Sequence, residues 1–387
     1  MSRFLFNLLN FYEFCKNHVI KLVKALIFKY NIQCIFVYFY FGRQASSLAT
    51  DFGIDLGSRR TVICSGKSIV LDEYSAISYE TYTGDLIAAG NDAYQMIGRT
   101  PESITAVCPI VNGVIAQYDL AESMIAAFLH AVADNKLFKA RLMAAVPSAI
   151  TEMQKRALYN AFSASGARDV CLIEAPAAAA LGIGLDFTTP KGSIVVDIGA
   201  GTTDIATLSM GRVVKFESSP VSGSSFNEAI SRYIKQEQNV MIGHHTAEKI
   251  KRQIGCVLPR PLELTMFAKG RHQFTGLPKT FEINTSEMIT ALYDTALSIC
   301  RSIQAVIEKT PPEITADIDR DGITLIGGGS LLFGLDRFIA DYTGVKVNTV
   351  REPKTCVARG TIVAMQNFKA LQSADFRFKS LEELTMA

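Results

Sequence analysis

Polar side chains recur at Arg3, Asn7, Asn10, Glu13, Asn17, Lys21 and Lys24, a helical spacing, with Phe4, Leu5, Leu8, Leu9, Tyr12, Ile20 and Leu22 among the positions between. That stripe predicts a basic amphipathic helix suited to an anionic membrane surface. From residue 50 the pattern changes to strands. Asp51 to Val62 reads as strand, tight glycine turn, strand, and continues through Val62–Cys64, a Gly66–Lys67 turn and Ile69–Leu71 as a β-meander. Ser193 to Ala206 repeats the plan: apolar strand, Asp, apolar residue, Gly, short turn, hydroxyl, apolar strand. Asp55 matches Asp197, Gly57 matches Gly199, and Ser58 falls in the turn that Gly201 and Thr202 occupy in the second copy. A third element, Ile323 to Leu335, runs from an apolar strand through three glycines into a helix. Two small-residue segments, Pro176–Gly182 and Val357–Thr361, predict helices that cross closely as a hinge between two domains.

The residue types in these turns suit phosphate. Glycines let backbone N–H groups approach anionic oxygens, and consecutive N–H groups form an anion-binding concavity. Ser58, Thr202 and Thr203 add hydroxyl donors, and Asp55 and Asp197, one at each strand end, can hold Mg²⁺ through water, which Mg²⁺ gives up reluctantly. Two such hairpins facing each other would clamp a polyphosphate from both sides. The Walker pattern G-x-x-x-x-G-K-[ST] is not the source of this chemistry, because it is missing.

Composition refines the ends of the chain more than its middle. With 387 residues, 49% apolar and 20% charged, the chain can build two cores and is neither disordered nor collagen-like. The formal charge of +2 is unevenly spread: residues 1–45 hold six basic side chains against one acid, Glu13, and 12 of the 36 Phe and Tyr. The remainder is mildly acidic, which gives no support to nucleic-acid binding. Within the leader the richest apolar run, Ile35–Phe41, is seven residues, against the about 20 a spanning helix needs. No small-residue cleavage site follows a single apolar core, as a signal peptide would require. Two readings of residues 1–48 stay open: a membrane-surface helix, or AT-rich upstream DNA translated from a start codon placed too early. The eight cysteines are scattered without a C-x-x-C pair, so reduced, mostly buried thiols in a reducing cytoplasm are expected.

The order of first phosphate hairpin, connecting helix, second phosphate hairpin, GGGS loop and second connecting helix resembles the actin-like ATPase superfamily. Within it the chain is similar to the MreB family of bacterial actin homologues, which organise cell-wall growth. Asn91–Pro101, Asn112–Ala116, Gly243–Lys251 and Glu308–Glu313 carry the likeness further, over about residues 50–370. Genes of that family normally begin just before the ATDFGIDLG segment, which favours a false start, with Leu48 as the initiator if its codon is TTG or CTG.

The resemblance implies an α/β actin-like ATPase fold, two domains each with an RNase H-like core around an ATP·Mg²⁺ cleft. Its bounds would be an extension over 1–48, domain I over 49–189, domain II over 190–370 and a tail over 371–387. Gly57 and Ser58, with Arg59 beside them, and Gly199, Gly201, Thr202 and Thr203 match phosphate positions, Thr202 also being a candidate catalytic hydroxyl. Glu248 and Lys251 match residues near ribose and adenine, with an exposed helical ion pair as the alternative, and Gly327, Gly328, Gly329 and Ser330 match the adenine loop. Lys136-Leu137-Phe138-Lys139 resembles the loop with which the family inserts apolar side chains into the membrane; core packing of Leu137 and Phe138 is the alternative.

The chain also departs from that family. The family has a water-positioning Glu immediately before Pro176, where this chain has Ala175; an alanine cannot orient water. Glu174, one residue earlier, could substitute only through a local backbone shift. Arg59–Arg60 replace a small residue and Asn, either beside the polyphosphate or pointing to solvent, and His244–His245 are read as surface. The expected function is an ATP-binding cytoskeletal protein at the inner face of the cell membrane, with slow or absent hydrolysis. Its partners would be its own copies, MreB-type paralogues and membrane proteins of wall synthesis. The alternatives are a non-hydrolysing regulatory relative that co-polymerises, a chaperone-type ATPase, which would need a substrate domain beyond the helix at 357–371, and a sugar or acetate kinase of the same fold, which would need an acceptor pocket.

Overall fold

The computed structural model describes residues 51–132, 141–167, 169–186, 189–368, 371 and 378. The leader over 1–48 and the Leu137–Phe138 pair lie outside the described residues.

The meander forms as β1 (Asp51–Leu56), β2 (Arg60–Ser65) and β3 (Ser68–Tyr74). Next come β4 (Ile77–Glu80), β5 (Leu86–Ala89), α1 (Asn91–Met96) and β6 (Ile104–Val107), whose strands form a small sheet of their own. The short ribbon of β7 (Ile110–Val111) and β8 (Val114–Ile115) leads to α2 (Tyr118–Val132), β9 (Arg141–Val146), α3 (Glu152–Ala164), β10 (Asp169–Glu174) and α4 (Ala175–Gly182). Across the main sheet the order is β10-β9-β1-β2-β3, antiparallel within the meander and parallel from β1 to β9 to β10.

The second half repeats this plan. Its strands are β11 (Gly192–Ile198), β12 (Thr203–Ser209) and β13 (Arg212–Ser219), followed by α5 (Gly223–Gln238), β14 (Val240–Met241) and α6 (His244–Ile254). Then come β15 (Thr265–His272), β16 (Pro278–Asn284), α7 (Thr285–Glu308), α8 (Pro312–Asp321) and β17 (Ile323–Ile326). A 3₁₀ turn over Gly328–Leu331, α9 (Leu335–Thr343), β18 (Val347–Thr349) and α10 (Cys356–Gln366) complete it. The sheet order, β13-β12-β11-β17-β18, again has an antiparallel meander and two parallel additions. The long α7 starts on a capping box between Asn284 and Glu287, which satisfies two donors at the helix end.

Strand periodicity explains how one chain makes three cores. In β1, β9 and β10 the residues Phe52, Ile54, Leu142, Ala144, Val170 and Leu172 face the first half's own core. Their alternates Met143, Ala145 and Ile173 face the opposite way, into a shared core. In the second half Ile194, Val196, Ile323 and Leu325 face its own core, while Val195 and Ile326 face the shared one. By the same alternation Asp55 and Asp197 lie on the faces turned toward the shared core.

Between the sheets run α4 and α10, which contribute Ala177–Ala180 and Cys356, Val357 and Ala364. The two small-residue helices do cross closely. A Cβ on Gly360 would lie 1.6 Å from the carbonyl oxygen of Ala178, and one on Gly182 would lie 1.9 Å from that of Cys356. Of the six described cysteines, Cys64, Cys256, Cys300 and Cys356 are buried, Cys108 and Cys171 are part-buried, and all are free thiols, as expected.

Candidate functional site

Both hairpins close in the same way. The Gly57 N–H donates to the Arg60 carbonyl at 3.0 Å, and the Gly199 N–H donates to the Thr202 carbonyl at 2.9 Å. This pairing corrects the turn correspondence: Ser58 stands at the position of Ala200, and Arg59 at that of Gly201. The hairpins meet across the site, since a Cβ on Gly201 would lie 2.8 Å from Ser58 Oγ and 3.2 Å from Asn112 Oδ1. Ser58 Oγ accepts from the Gly113 N–H at 2.8 Å. Behind the first hairpin Ser75 Oγ donates to the Gly57 carbonyl at 2.6 Å and shares a buried hydrogen bond with Thr61. Behind the second, the start of α5 packs on the turn, with Gly223 N–H and Ser224 N–H bonded to the carbonyls of Gly199 and Ala200.

Both strand-end carboxylates are desolvated. Burial pushes Asp55 up to about 7. Burial, then the charges of Asp55 and Asp204, raise Asp197 well above the usual carboxylate range. Asp204, which the sequence reading missed, is Cα partner to Asp197 and takes hydrogen bonds from Thr202 Oγ1 at 3.2 Å and from Ser218 Oγ. Among the described residues no three His, Cys, Asp or Glu side chains gather as a direct metal cage. A pair of desolvated carboxylates facing phosphate-type turns therefore fits a hydrated divalent cation.

The glycine loop abuts the second hairpin. Gly327 takes φ +79°, and a Cβ there would lie 2.2 Å from Asp197 Oδ1, so only glycine fits both the turn and the space. Gly329 packs on Ile198, Gly328 comes near Lys354, and the Ser330 hydroxyl donates to the Gly327 carbonyl at 2.8 Å. Lys354 was missed by sequence; burial, then Arg252 and Arg60, lower its pKa.

Glu248 and Lys251 form their i,i+3 pair at 2.9 Å, and it is not an exposed one. Lys251 Nζ also donates to the Gly223 carbonyl at 2.8 Å, and Asn227 donates to Glu248 Oε2 at 2.8 Å. Burial opposes ionisation of Glu248, but Lys251, Asn227 and Arg59 outweigh it and hold the carboxyl at about 2, against an ordinary 4.5. A depressed carboxyl contributes stability that is complete above 4.5 and lost as pH falls toward 2. The urea midpoints of Glu248→Gln and the unaltered chain are thus expected to stay apart above about pH 4.5 and to approach each other as pH falls from there toward about 2. A gap that stays constant across that range would contradict the pairing.

Four expectations need correction. The Thr203 hydroxyl is fully buried and donates to the Val221 carbonyl at 2.7 Å, so it is not a ligand donor. Arg60 turns back onto β3, with Nε 2.5 Å from Asp72 Oδ1 and the guanidinium over Tyr74, rather than toward phosphate or open solvent. Arg59 leans neither on the phosphate turn nor into solvent but toward α6, where it meets His244 and Glu248. His244 is exposed, as expected, while it contacts Arg59, but His245 is part-buried and packs edge-on against Tyr94 rather than lying on open surface. Side-chain direction in a three-residue turn depends on where the turn closes, which composition does not reveal.

Ala175 and Glu174 are separated by the start of a helix. Glu174 caps α4, accepts from Ser148 Oγ at 3.1 Å, and by strand alternation faces away from Ile173 and the shared core. In this position it does not share the faces that carry Asp55 and Asp197. Ala175, the first helical residue, packs against the shared core on the side of the site.

Comparison with known proteins agrees with this geometry. The family model described as MreB/Mbl protein matches residues 49–373. The cell shape-determining protein Mbl of Bacillus cereus is 39% identical over 331 residues, 85% of this chain and 99% of that protein. The cell shape-determining protein MreB of Escherichia coli is 38% identical over 319 residues, 81% of this chain and 92% of that protein. Among solved structures, MreB5 of Spiroplasma citri bound to ADP superposes with a TM-score of 0.80 at 34% identity, covering 84% of this chain and 99% of that one. The same protein bound to AMPPNP gives 0.79 at 33% identity, covering 85% and 99%. Chaperone-type and kinase readings give way to this likeness. With its two matching sheets around paired hairpins, the chain has the actin-like ATPase fold and belongs to the MreB/Mbl family.

Proposed function

We propose that the protein is an ATP-binding, filament-forming member of the cell-shape machinery, acting at the inner face of the cell membrane, in which hydrolysis is slowed by Ala175. The observation that carries this reading is the pair of opposed glycine hairpins, each with a desolvated aspartate at its base. It is supported by the ADP and AMPPNP bound in the MreB5 structures. Gly57 and Gly199 close the turns with their own N–H groups. The backbone N–H groups of Ser58, Arg59 and Ala200–Thr202, with the Ser58 hydroxyl, cradle the phosphates, and Gly327–Ser330 lie against the adenosine. Glu248 and Lys251 hold the ribose side. Asp55 and Asp197 hold Mg²⁺ through water, and the bound cation supplies charge neutralisation at the phosphates. Thr202 Oγ1, oriented by Asp204, keeps a lone pair for a water proton. We assign domain I to 49–189 and domain II to 190–370, with α4 and α10 as the hinge, a division that the repeat of the sheet order supports.

Head-to-tail contacts that do not close a ring build filaments. Titration calorimetry with ATP·Mg²⁺, and pelleting with and without nucleotide, test the reading together. Binding in the micromolar range and nucleotide-dependent pelleting are expected, and absence of both overturns it. Ala175 favours a second reading, a regulatory relative that binds ATP, does not hydrolyse it and co-polymerises with active paralogues. Phosphate release measured on the pelleted polymer separates the two.

Membrane contact is assigned to Leu137 and Phe138 through family resemblance. Among the described residues no helix is long and apolar enough to cross a membrane. Two apolar side chains bind a bilayer weakly, but a filament repeats them and avidity multiplies the effect. Replacing both with Ser is expected to abolish filament flotation with anionic vesicles while leaving pelleting unchanged. Flotation that survives would point to the leader or another surface instead.

A further inference from the structure

The two hairpins are not equivalent at their tips. The second has Gly201, without a side chain, whereas the first carries Arg59 at the same turn position, and that arginine crosses to the other half of the molecule. Its guanidinium donates to His244 Nε2 and lies 3.5 Å from Glu248 Oε2, both on α6. It also lies over the ring of Tyr94 on α1, at 4.9 Å from the centroid. Tyr94 is buried and stacks face to face on Tyr74 at 3.8 Å, and Arg60 covers Tyr74 at 4.6 Å. From the α6 side His245 meets the same Tyr94 ring edge-on at 4.7 Å. The side chains of Arg59 and Glu248 are only 18% and 24% exposed, so their pairing is weakly screened for a surface contact.

This cluster joins α1 and the first hairpin to α6. An arginine has no acceptor atom, so His244 must receive the hydrogen bond on a neutral ring. Burial, then Arg59, hold His244 down to about 4, which keeps it neutral near pH 7. Glu248 is the shared point: it receives Arg59, Lys251 and Asn227 at once.

We propose that Arg59 is a positioning residue that clasps the two halves across the cleft, holds Glu248 in place, and sets the rate at which nucleotide leaves. The proposal rests on the reading of the cleft as an ATP site. A ligand bound between the hairpins and α6 cannot separate from Glu248 and Lys251 by opening of the halves until the arginine lets go of α6. The exchange rate thereby depends on a side chain that does not touch the reacting phosphate.

The test uses the full 387-residue chain and a fluorescent ATP analogue with Mg²⁺, displaced by excess ATP in a stopped-flow instrument. Arg59→Ala removes an ion pair and a cation–π contact and is expected to release the analogue about tenfold faster. His244→Ala is expected to act in the same direction, and the double variant to be no faster than Arg59→Ala. Arg59→Lys keeps the charge without the planar face and is expected to restore part of the slow release. Hydrogen exchange on the nucleotide-free chain reads the clasp without any ligand: residues 91–96 and 244–254 are expected to exchange faster in Arg59→Ala. Unchanged exchange there, or release within about twofold of the unaltered chain, overturns the clasp. If the unaltered chain binds no analogue, the ATP reading falls, and the nucleotide-free exchange still decides the clasp.

Discussion

Ala175→Glu is expected to raise phosphate release by about a hundredfold or more, the range in which a positioned side chain orients and polarises a water. The substitution suits its site. Residue 175 opens α4, where a carboxylate is favoured by the helix dipole, and its side chain packs toward the shared core on the side of the paired hairpins. Glu174 faces the other way and is engaged by Ser148, so it would have to leave that contact to reach the site. Single-turnover phosphate release with ATP·Mg²⁺, run on both proteins at matched polymer content, checks the expectation. A wild-type rate already equal to that of the variant would show that another group orients the water, and the account of slow hydrolysis would be lost.

Gly360→Ala is expected to destabilise the protein by about 3 kcal/mol or more, at the upper end of what overpacking costs. The added methyl would fall 1.6 Å from the Ala178 carbonyl oxygen and 2.9 Å from the Gly182 nitrogen, and backbone rather than a movable side chain stands in the way. The helices can make room only by separating, which would also loosen Thr361 and Ile362 from β1 at Gly53. Urea unfolding gives the loss directly. Gly243→Ala serves as the comparison, since open space surrounds that position and a helix cap of this kind is worth about 1 kcal/mol or less. Similar midpoints for the two variants would mean that the crossing is far more yielding than its spacing indicates.

The parts of this fold that could be read from the chain were those governed by backbone and by residue size. Two copies of Asp-apolar-Gly between apolar strands announced the paired meanders, and both appear with matching closure. The small residues of Pro176–Gly182 and Val357–Thr361 announced helices that touch, and they do. What stayed illegible depended on where a side chain turns once the backbone is set. Thr203 looked like a phosphate donor, yet as the first residue of β12 its hydroxyl points inward to Val221. Arg59 and His244 are 185 residues apart, and no local pattern pairs them. Tyr94 and Asn227 give no motif at all; they become parts of the site because α1 and α5 happen to bring them beside Arg59 and Glu248.

The meeting of α4 and α10 has a mechanical consequence. With backbone pressed on backbone and no side chain between, the contact can act as a fulcrum but offers little room to slide. If the halves rotate against each other there, each is a lever arm, and a small change of angle at Gly360 grows into a larger displacement at β4–β6 on one side and β14–β16 on the other. If copies of the chain join through those outer surfaces, the nucleotide in each cleft is expressed as an angle between arms, and a row of such angles becomes the curvature of the polymer.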